Sequence, residues 1–143
     1  MQDALFKGAN IFRTEAGLTE CVKTLQETLG RARKVGLKSN GIGVNPELSA
    51  ALKIEGQVKM ALMLAYGALM RTESRGSHNR EDFTARNDRD WLTRTLAYWK
   101  NESDTLPTLE YEAATHIFHI PPGDRGYGKS EIIKADIPTE TKG

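Results

Sequence analysis

The chain has 143 residues, of which 27% are charged and 38% hydrophobic, and this composition is typical of one soluble globular domain with a modest core. The formal net charge of +1 is low for a dedicated nucleic-acid-binding domain, and the single cysteine, Cys21, excludes an internal disulfide. No apolar run reaches the roughly 18 residues that a membrane span needs, and the first residues lack the pattern of a secretory signal.

Two helices are predicted at the start of the chain. Residues 2–9 read as a short helix, and helix-like sequence from the second residue would suit a domain taken from a longer protein. From Thr14 to about Val35 the apolar residues recur at helical spacing, which predicts one buried stripe. Thr14 is the expected N-cap of this helix, and Gly36 follows its last turn.

A third helix is predicted from Pro46 to about Ser74, with Asn45 as its N-cap. Residues 58–70 are apolar nearly all round, which indicates that this half of the helix is covered on more than one side. Its methionines are interpreted as core residues that fill irregular gaps, namely Met60, Met63 and Met70.

The character of the sequence changes after residue 90. Residues 93–99 and 107–113 are rich in threonine, tyrosine, tryptophan and leucine, and they predict two antiparallel strands joined by a polar turn. Residues 116–120 could add a third strand. The predicted fold is mainly α, a three-helix antiparallel, spectrin-repeat-like bundle with a small C-terminal β-hairpin. The predicted division is a helical bundle with a charged joint (1–90), a β-hairpin appendage packed on it (91–128) and a mobile tail (129–143).

Charged residues crowd the segment from Arg71 to Trp91, directly after the most apolar helix. Guanidinium and carboxylate groups form directional, bidentate pairs, so interleaved signs favour a polar docking surface over a phosphate-binding patch. A solvated loop is the simpler alternative, but the charges begin where the buried helix ends. Gly76 is expected to supply the turn at that helix end. The interleaved residues are Arg75, Arg80, Arg86 and Arg89 with Glu73, Glu81, Asp82, Asp88 and Asp90.

Other kinds of site are weakly supported by the sequence. His78, His116, His119 and Cys21 do not have the spacing of a zinc motif. Ser77 precedes His78, but adjacent residues rarely present their side chains to each other, and Cys21 lies on the apolar stripe of the second helix. The glycines at 41–43 and 123–128 do not match the dinucleotide-binding fingerprint and are more simply loops.

The stretch ESRGSHNREDF, followed by RNDRDWLTRTLAYW, resembles the C-terminal region of the flavoprotein subunit of fumarate reductases and succinate dehydrogenases. The wider family includes L-aspartate oxidase, which has a similar S-R-G-x-H stretch. The resemblance covers nearly the whole chain, because FRTEAGL, NPELSAALKIEGQVKMALMLAYGALM, TLEYE and PPGDRGYG are also similar to the family. Thr84 stands where the family often has proline, and Asn87 where it usually has an acid; both departures concern the rigidity of the loop.

The resemblance implies an intact subunit that binds FAD in an N-terminal domain and interconverts fumarate and succinate. It also implies an iron-sulfur subunit and a quinone-reactive membrane anchor, at the cytoplasmic face of the inner membrane. The family's catalytic and flavin-linking residues lie upstream of the matching region. No catalytic, flavin-binding or metal-binding residue is therefore assigned to this chain, and alone it is expected to be inactive and to hold no cofactor.

Within this resemblance, the charged segment is interpreted as a docking joint against the flavin domain of the same chain. Contact with the iron-sulfur subunit is the second possibility, but L-aspartate oxidase has a similar motif without such a subunit. The RTESRG and TLPTLEY stretches look closer to the fumarate reductases than to the dehydrogenases. Two alternatives stay open: a stand-alone helical module that binds an acidic partner or RNA, and the C-terminal domain of an L-aspartate oxidase. The proposed docking residues are Arg75, His78, Arg80, Asp82, Arg86 and Asp88, and no nucleic-acid partner is expected.

Overall fold

The computed structural model describes residues 1–39, 41, 43–113 and 131–135. The helices of this part are α1 (Gln2–Gly8), α2 (Glu15–Ala32), α3 (Pro46–Met70) and α4 (Asp88–Trp91). Its strands are β1 (Phe12–Arg13), β2 (Asn79–Arg80), β3 (Arg86–Asn87), β4 (Thr93–Tyr98), β5 (Thr108–Ala113) and β6 (Ile132–Ile133). The prediction of a mainly α fold with a β-hairpin is confirmed.

The core lies between α2 and α3, which form an antiparallel helical hairpin. The predicted N-caps are both present: the Thr14 hydroxyl accepts a hydrogen bond from Gly17 N, and the Asn45 side chain accepts from Glu47 N and Leu48 N. The apolar stripe of α2 is buried as its spacing predicts. The buried core residues of the two helices are Leu18, Cys21, Val22, Leu25, Leu29, Ala32, Val58, Ala61, Leu62, Ala65 and Ala68.

The three-helix, spectrin-repeat-like bundle is not confirmed, because α1 has only seven residues and packs chiefly against α2. Two turns of helix are too short to line an 18-residue neighbour. The two helices approach closely at Gly8, where an added Cβ would lie 2.3 Å from the carbonyl oxygen of Gly17. The bundle is therefore a two-helix hairpin with a short helix seated on one side.

The predicted end of the third helix was wrong. Helix α3 ends at Met70, and Arg71 is already extended, with ψ of 108°. Gly76, at φ of +59°, makes a tight turn between Arg75 and His78 instead of ending the helix.

The interpretation of all three methionines of α3 as core residues was also wrong. The Met60 side chain is 70% exposed and that of Met70 is 42% exposed. Helix α2 covers one side of α3 and strand β4 contacts another, where an added Cβ at Gly67 would lie 3.8 Å from Thr95 Cγ2, as the apolar character of residues 58–70 predicts. Leu52 and Leu64 are nevertheless exposed as well. An apolar helix face therefore remains at the surface of the described part.

Strands β4 and β5 form the predicted antiparallel hairpin, in register from Thr93 opposite Ala113 to Tyr98 opposite Thr108. The Arg33 guanidinium, at the end of α2, donates hydrogen bonds to the backbone carbonyls of the hairpin turn, residues 102–104. This contact fixes the far end of the hairpin against the helices.

Two short parallel pairings, β1 with β2 and β3 with β6, were not predicted. The possible third strand at 116–120 lies outside the described residues. The division at residues 90 and 128 stays a prediction, and strand β6 shows that part of the expected tail pairs with β3.

Candidate docking site

Arg80 is the largest fully buried side chain of the described residues. Its Nε and Nη2 donate to the two carboxylate oxygens of Asp82, at 2.7 and 2.8 Å. Its Nη1 donates to the backbone carbonyls of Ala68, Leu69 and Arg71, at 3.2, 3.0 and 3.1 Å. The last carbonyls of a helix have no partners within the helix, and they carry partial negative charge. Arg80 therefore caps the C-terminus of α3.

Asp82 performs the complementary role at α2. Its Oδ2 accepts a hydrogen bond of 2.7 Å from the backbone N–H of Glu15, the first residue of α2. The hydrogen bonds from Arg80 hold the pKa of Asp82 down at about 2, so the carboxylate is ionised near neutral pH. The Arg80–Asp82 pair thus joins the negative end of α3 to the positive end of α2.

Glu73 is the centre of a second group of charges and is fully buried. It accepts hydrogen bonds from Arg71 Nη1, from Arg75 Nε at 2.8 Å and Nη2 at 3.0 Å, and from the backbone N–H of Asn87 at 2.8 Å. With this set of donors the buried carboxylate is satisfied without solvent.

Arg75 connects Glu73 to Asp88, because its Nη2 also donates to Asp88 Oδ1 at 2.6 Å. Arg86 binds the other oxygen of Asp88, with Nη2 at 2.6 Å and Nε at 3.1 Å. Burial alone would raise the pKa of Asp88, but the bonds from Arg86 and Arg75 outweigh it and lower the pKa. The loop between α3 and β4 is held by this chain of pairs.

His78 lies between the two groups. Its Nδ1 is 2.6 Å from Arg13 Nη1, and its Nε2 is 3.3 Å from the backbone oxygen of Arg71. A guanidinium can only donate, so Nδ1 accepts and Nε2 carries the proton that is donated to Arg71. Burial, followed by the charges of Arg13, Arg80 and Arg71, lowers the pKa of His78, which favours the neutral ring.

The structure therefore brings the six predicted docking residues together, but their side chains contact partners within this chain. Arg75, Arg86 and Asp88 share the group around Glu73, and Arg80 pairs with Asp82. His78 joins the two groups through the Arg71 carbonyl. Three further members were not among the predicted docking residues. Glu73 was named only as one of the interleaved charges, and Arg71 begins the same charge-rich stretch. Arg13 lies far away in sequence and gave no local signal. We call these residues the charged cluster: Arg13, Arg71, Glu73, Arg75, His78, Arg80, Asp82, Arg86 and Asp88.

The geometry of the charged cluster does not favour nucleophilic chemistry. Both ring nitrogens of His78 are engaged, so it is not positioned to take a proton from Ser77. Cys21 is buried in the core, and burial raises the pKa of its thiol. In the described part of the chain, no three His, Cys, Asp or Glu side chains are grouped to hold a metal ion.

The described residues also do not fit a flavin site. A dinucleotide cofactor is bound through its pyrophosphate at an open helix N-terminus that follows a glycine-rich turn. The N-terminus of α2 is occupied by Thr14 and Asp82, and that of α3 by Asn45. The N–H groups of Glu15 and Gly17 in α2, and those of Glu47 and Leu48 in α3, are therefore already bonded to side chains of this chain.

Comparison with known proteins decides the family. The family described as "Fumarate reductase flavoprotein C-term" matches residues 1–127, which include the whole charged cluster. This chain belongs to that family.

Its relatives in the fumarate reductase flavoprotein family include both reductases and dehydrogenases. The chain is 40% identical over 130 residues to the fumarate reductase flavoprotein subunit of Helicobacter pylori, covering 90% of this chain and 18% of that protein. It is 31% identical over 130 residues to the mitochondrial succinate dehydrogenase [ubiquinone] flavoprotein subunit of Oryza sativa, covering 89% of this chain and 21% of that protein.

The fold matches solved members of the family as well. The FrdA chain of a mutant E. coli quinol fumarate reductase superposes with a TM-score of 0.77 at 30% identity, over 85% of this chain and 21% of that chain. The chain thus spans about one fifth of the length of these relatives. None of the described helices combines the length and the apolar character needed to cross a membrane.

Proposed function

We propose that this chain is the C-terminal helical domain of an FAD-containing flavoprotein subunit that interconverts fumarate and succinate. The observation that carries this proposal is the family match over residues 1–127. Fumarate reduction is the favoured direction, since the relative at 40% identity is named a fumarate reductase flavoprotein subunit. On this proposal FAD and the reacting groups belong to the remaining part of the subunit.

The role proposed for the charged cluster is to seat this domain against the flavin domain of the same subunit. Its buried charges satisfy one another, so the six docking residues act by holding the loop of residues 71–92 in one shape. A loop fixed in this way loses little conformational entropy when a partner binds it. The partner then meets the outer surface of a rigid loop.

The wider complex is proposed on the same basis. The iron-sulfur subunit and the quinone-reactive membrane anchor would be partners of the intact subunit, at the cytoplasmic face of the inner membrane. RNA is not proposed as a partner. The buried Arg80 and the partly buried Arg71 and Arg75 are directed at carboxylates and backbone carbonyls, so they offer little free charge to phosphates.

The substitution Arg75→Ala in the intact subunit tests the docking role. Arg75 holds both Glu73 and Asp88, and loss of one partner of a buried charge pair costs about 3–5 kcal/mol. We expect a lower melting temperature and a smaller amount of flavin retained after purification. The comparison is Arg94→Ala, which breaks an exposed pair with Glu112 and should leave both properties unchanged. An Arg75→Ala subunit with wild-type melting and flavin content would refute the proposed joint.

A further inference from the structure

Arg13 differs from the other arginines of the charged cluster. A carboxylate oxygen lies within 4.0 Å of each of the other four, Arg71, Arg75, Arg80 and Arg86. Within the described residues, the Arg13 guanidinium meets only the backbone oxygen of Asn10 and the His78 ring. It is half-buried all the same, so this cation has lost part of its water without gaining an anion from the described part of the chain.

The net charge of the charged cluster also indicates that an anion is missing from this part of the chain. Among the described residues the cluster contains five guanidinium groups but only three carboxylates, those of Glu73, Asp82 and Asp88. With His78 neutral, positive charge is in excess in this part of the chain, and Arg13 is the arginine that contacts no described carboxylate. An additional carboxylate beside Arg13 would therefore be stabilised.

Arg13 belongs to a segment that is both apolar and fixed. Ile11 and Phe12, which precede it, are 56% and 66% exposed. The segment is not a free loop, because the carbonyls of Ile11 and Arg13 accept hydrogen bonds of 3.3 and 2.9 Å from Asn79 N and Glu81 N. Two exposed apolar side chains beside a desolvated arginine, on a rigid backbone, have the composition of a protein contact surface.

Resting on the proposed function, we infer that Ile11, Phe12 and Arg13 form the surface on which the flavin-binding part of the same subunit docks, and that this part supplies a carboxylate to Arg13. The relatives have about four fifths of their length outside the matching region, and the family description names that region C-terminal. Residues 11–13 lie near the start of the matched region.

The magnitudes involved favour the same chain over a separate partner. A partly exposed ion pair contributes about 1 kcal/mol or less, which cannot hold two free proteins together. A covalently linked partner is present at an effective concentration on the order of millimolar, so a small contact is sufficient.

The test uses the intact subunit with Arg13→Lys. Lysine keeps the charge and provides an amine that a water-soluble carbodiimide joins to a carboxylate in direct contact. We expect a pair of peptides joined at the substituted position, with the mass of the two less one water, whose second member is an Asp or Glu from the part that precedes this chain. The matched control is Arg31→Lys, an exposed position at the opposite end of α2, which should give no such product.

Three results would overturn the inference. These are products joined only within residues 1–143, products joined to another subunit or a second copy, and no product above the level of the Arg31→Lys control. These outcomes are separable from failure of the proposed function. If Arg75→Ala lowers flavin retention but the Arg13→Lys subunit gives no product with the preceding part, the domain docks through a different face.

Discussion

Arg80 shows most directly how charge is used in this domain. A buried guanidinium has lost the hydration that stabilises it in water, and it is tolerated only where each N–H finds an acceptor. Asp82 and three carbonyls at the end of α3 provide those acceptors. One side chain thus ends a helix, and through Asp82 it connects that end to the start of another.

This arrangement predicts a large cost for removing Arg80. Arg80→Ala should lower the free energy of unfolding by about 3–5 kcal/mol, because it takes the buried guanidinium away from Asp82 and from the last carbonyls of α3 and leaves Asp82 with the backbone N–H of Glu15 as its remaining donor. Arg80→Lys should recover only part of the loss, since an ammonium group cannot form the bidentate pair. Urea unfolding of the chain, followed by circular dichroism, measures both.

The control for Arg80 is Arg94→Ala, which breaks an exposed pair and should cost less than about 1 kcal/mol. If Arg80→Ala and Arg94→Ala lowered the free energy of unfolding by the same amount, burial would not strengthen the Arg80–Asp82 pair.

His78 predicts a dependence of stability on pH. Its pKa is lowered in the folded chain, from an ordinary value of 6.5, by burial and by the neighbouring arginines. The unfolded chain therefore binds a proton more readily as the pH falls through 6.5, so the free energy of unfolding should decrease between about pH 7 and pH 5. Urea titrations at several pH values should show this slope.

The substitution His78→Gln removes the titrating ring and should flatten the slope over the same pH range. A slope that His78→Gln leaves unchanged would assign the pH dependence to other groups.

At the scale of elements, the contact of α1 with α2 depends on Gly8. An alanine there would place its Cβ 2.3 Å from Gly17 O and 2.7 Å from Cys21 Cβ, which forces the helices apart. We expect Gly8→Ala to lower the free energy of unfolding by about 1–3 kcal/mol, as overpacking typically does.

A matched glycine within α2 provides the control for Gly8. Gly30 has no atom within 4 Å of an added Cβ, so Gly30→Ala should stabilise the chain by about 0.5–1 kcal/mol through helix propensity alone. The two substitutions are chemically identical and should have opposite signs. If both stabilise, α1 is not closely packed on α2.

The elements that were predicted correctly have their causes nearby in sequence. Helix α2 has a local N-cap and a regular apolar stripe, and the hairpin β4–β5 has two runs of strand-forming residues around a polar turn. The end of α3 was misplaced because it is set by Arg80, which lies ten residues beyond Met70 and acts through space. The pairs β1–β2 and β3–β6 are two residues long, which is too short to give a periodic pattern.

For the candidate site, the arginine–carboxylate pairs were predicted, but the position of the whole cluster was not. Interleaved signs in residues 71–91 indicated arginine–carboxylate pairing, and Arg75–Asp88 and Arg80–Asp82 are such pairs. The burial of Glu73 and the approach of Arg13 to His78 depend on how the loop crosses the end of the helical hairpin. No local pattern reports that crossing, so neither contact could be read from the sequence.

For the molecule as a whole, the charged cluster lies where the helical hairpin, the segment around β1 and the β4–β5 hairpin meet. Its side chains stabilise the loop, and both ring nitrogens of His78 are engaged, by Arg13 and by the Arg71 carbonyl. Together with the family match, this arrangement supports a domain that completes a larger flavoprotein by packing against it. We propose that the domain docks and that the reacting groups lie elsewhere in the subunit.

The most direct measurement of that claim compares the purified 143-residue chain with the intact subunit for bound flavin and for fumarate reduction by a chemical reductant. We predict that the chain alone folds, shows no flavin absorbance after incubation with FAD and desalting, and leaves fumarate unreduced, whereas the intact subunit retains flavin and reduces fumarate. Stoichiometric flavin on the isolated chain, or succinate formed by it, would contradict the account.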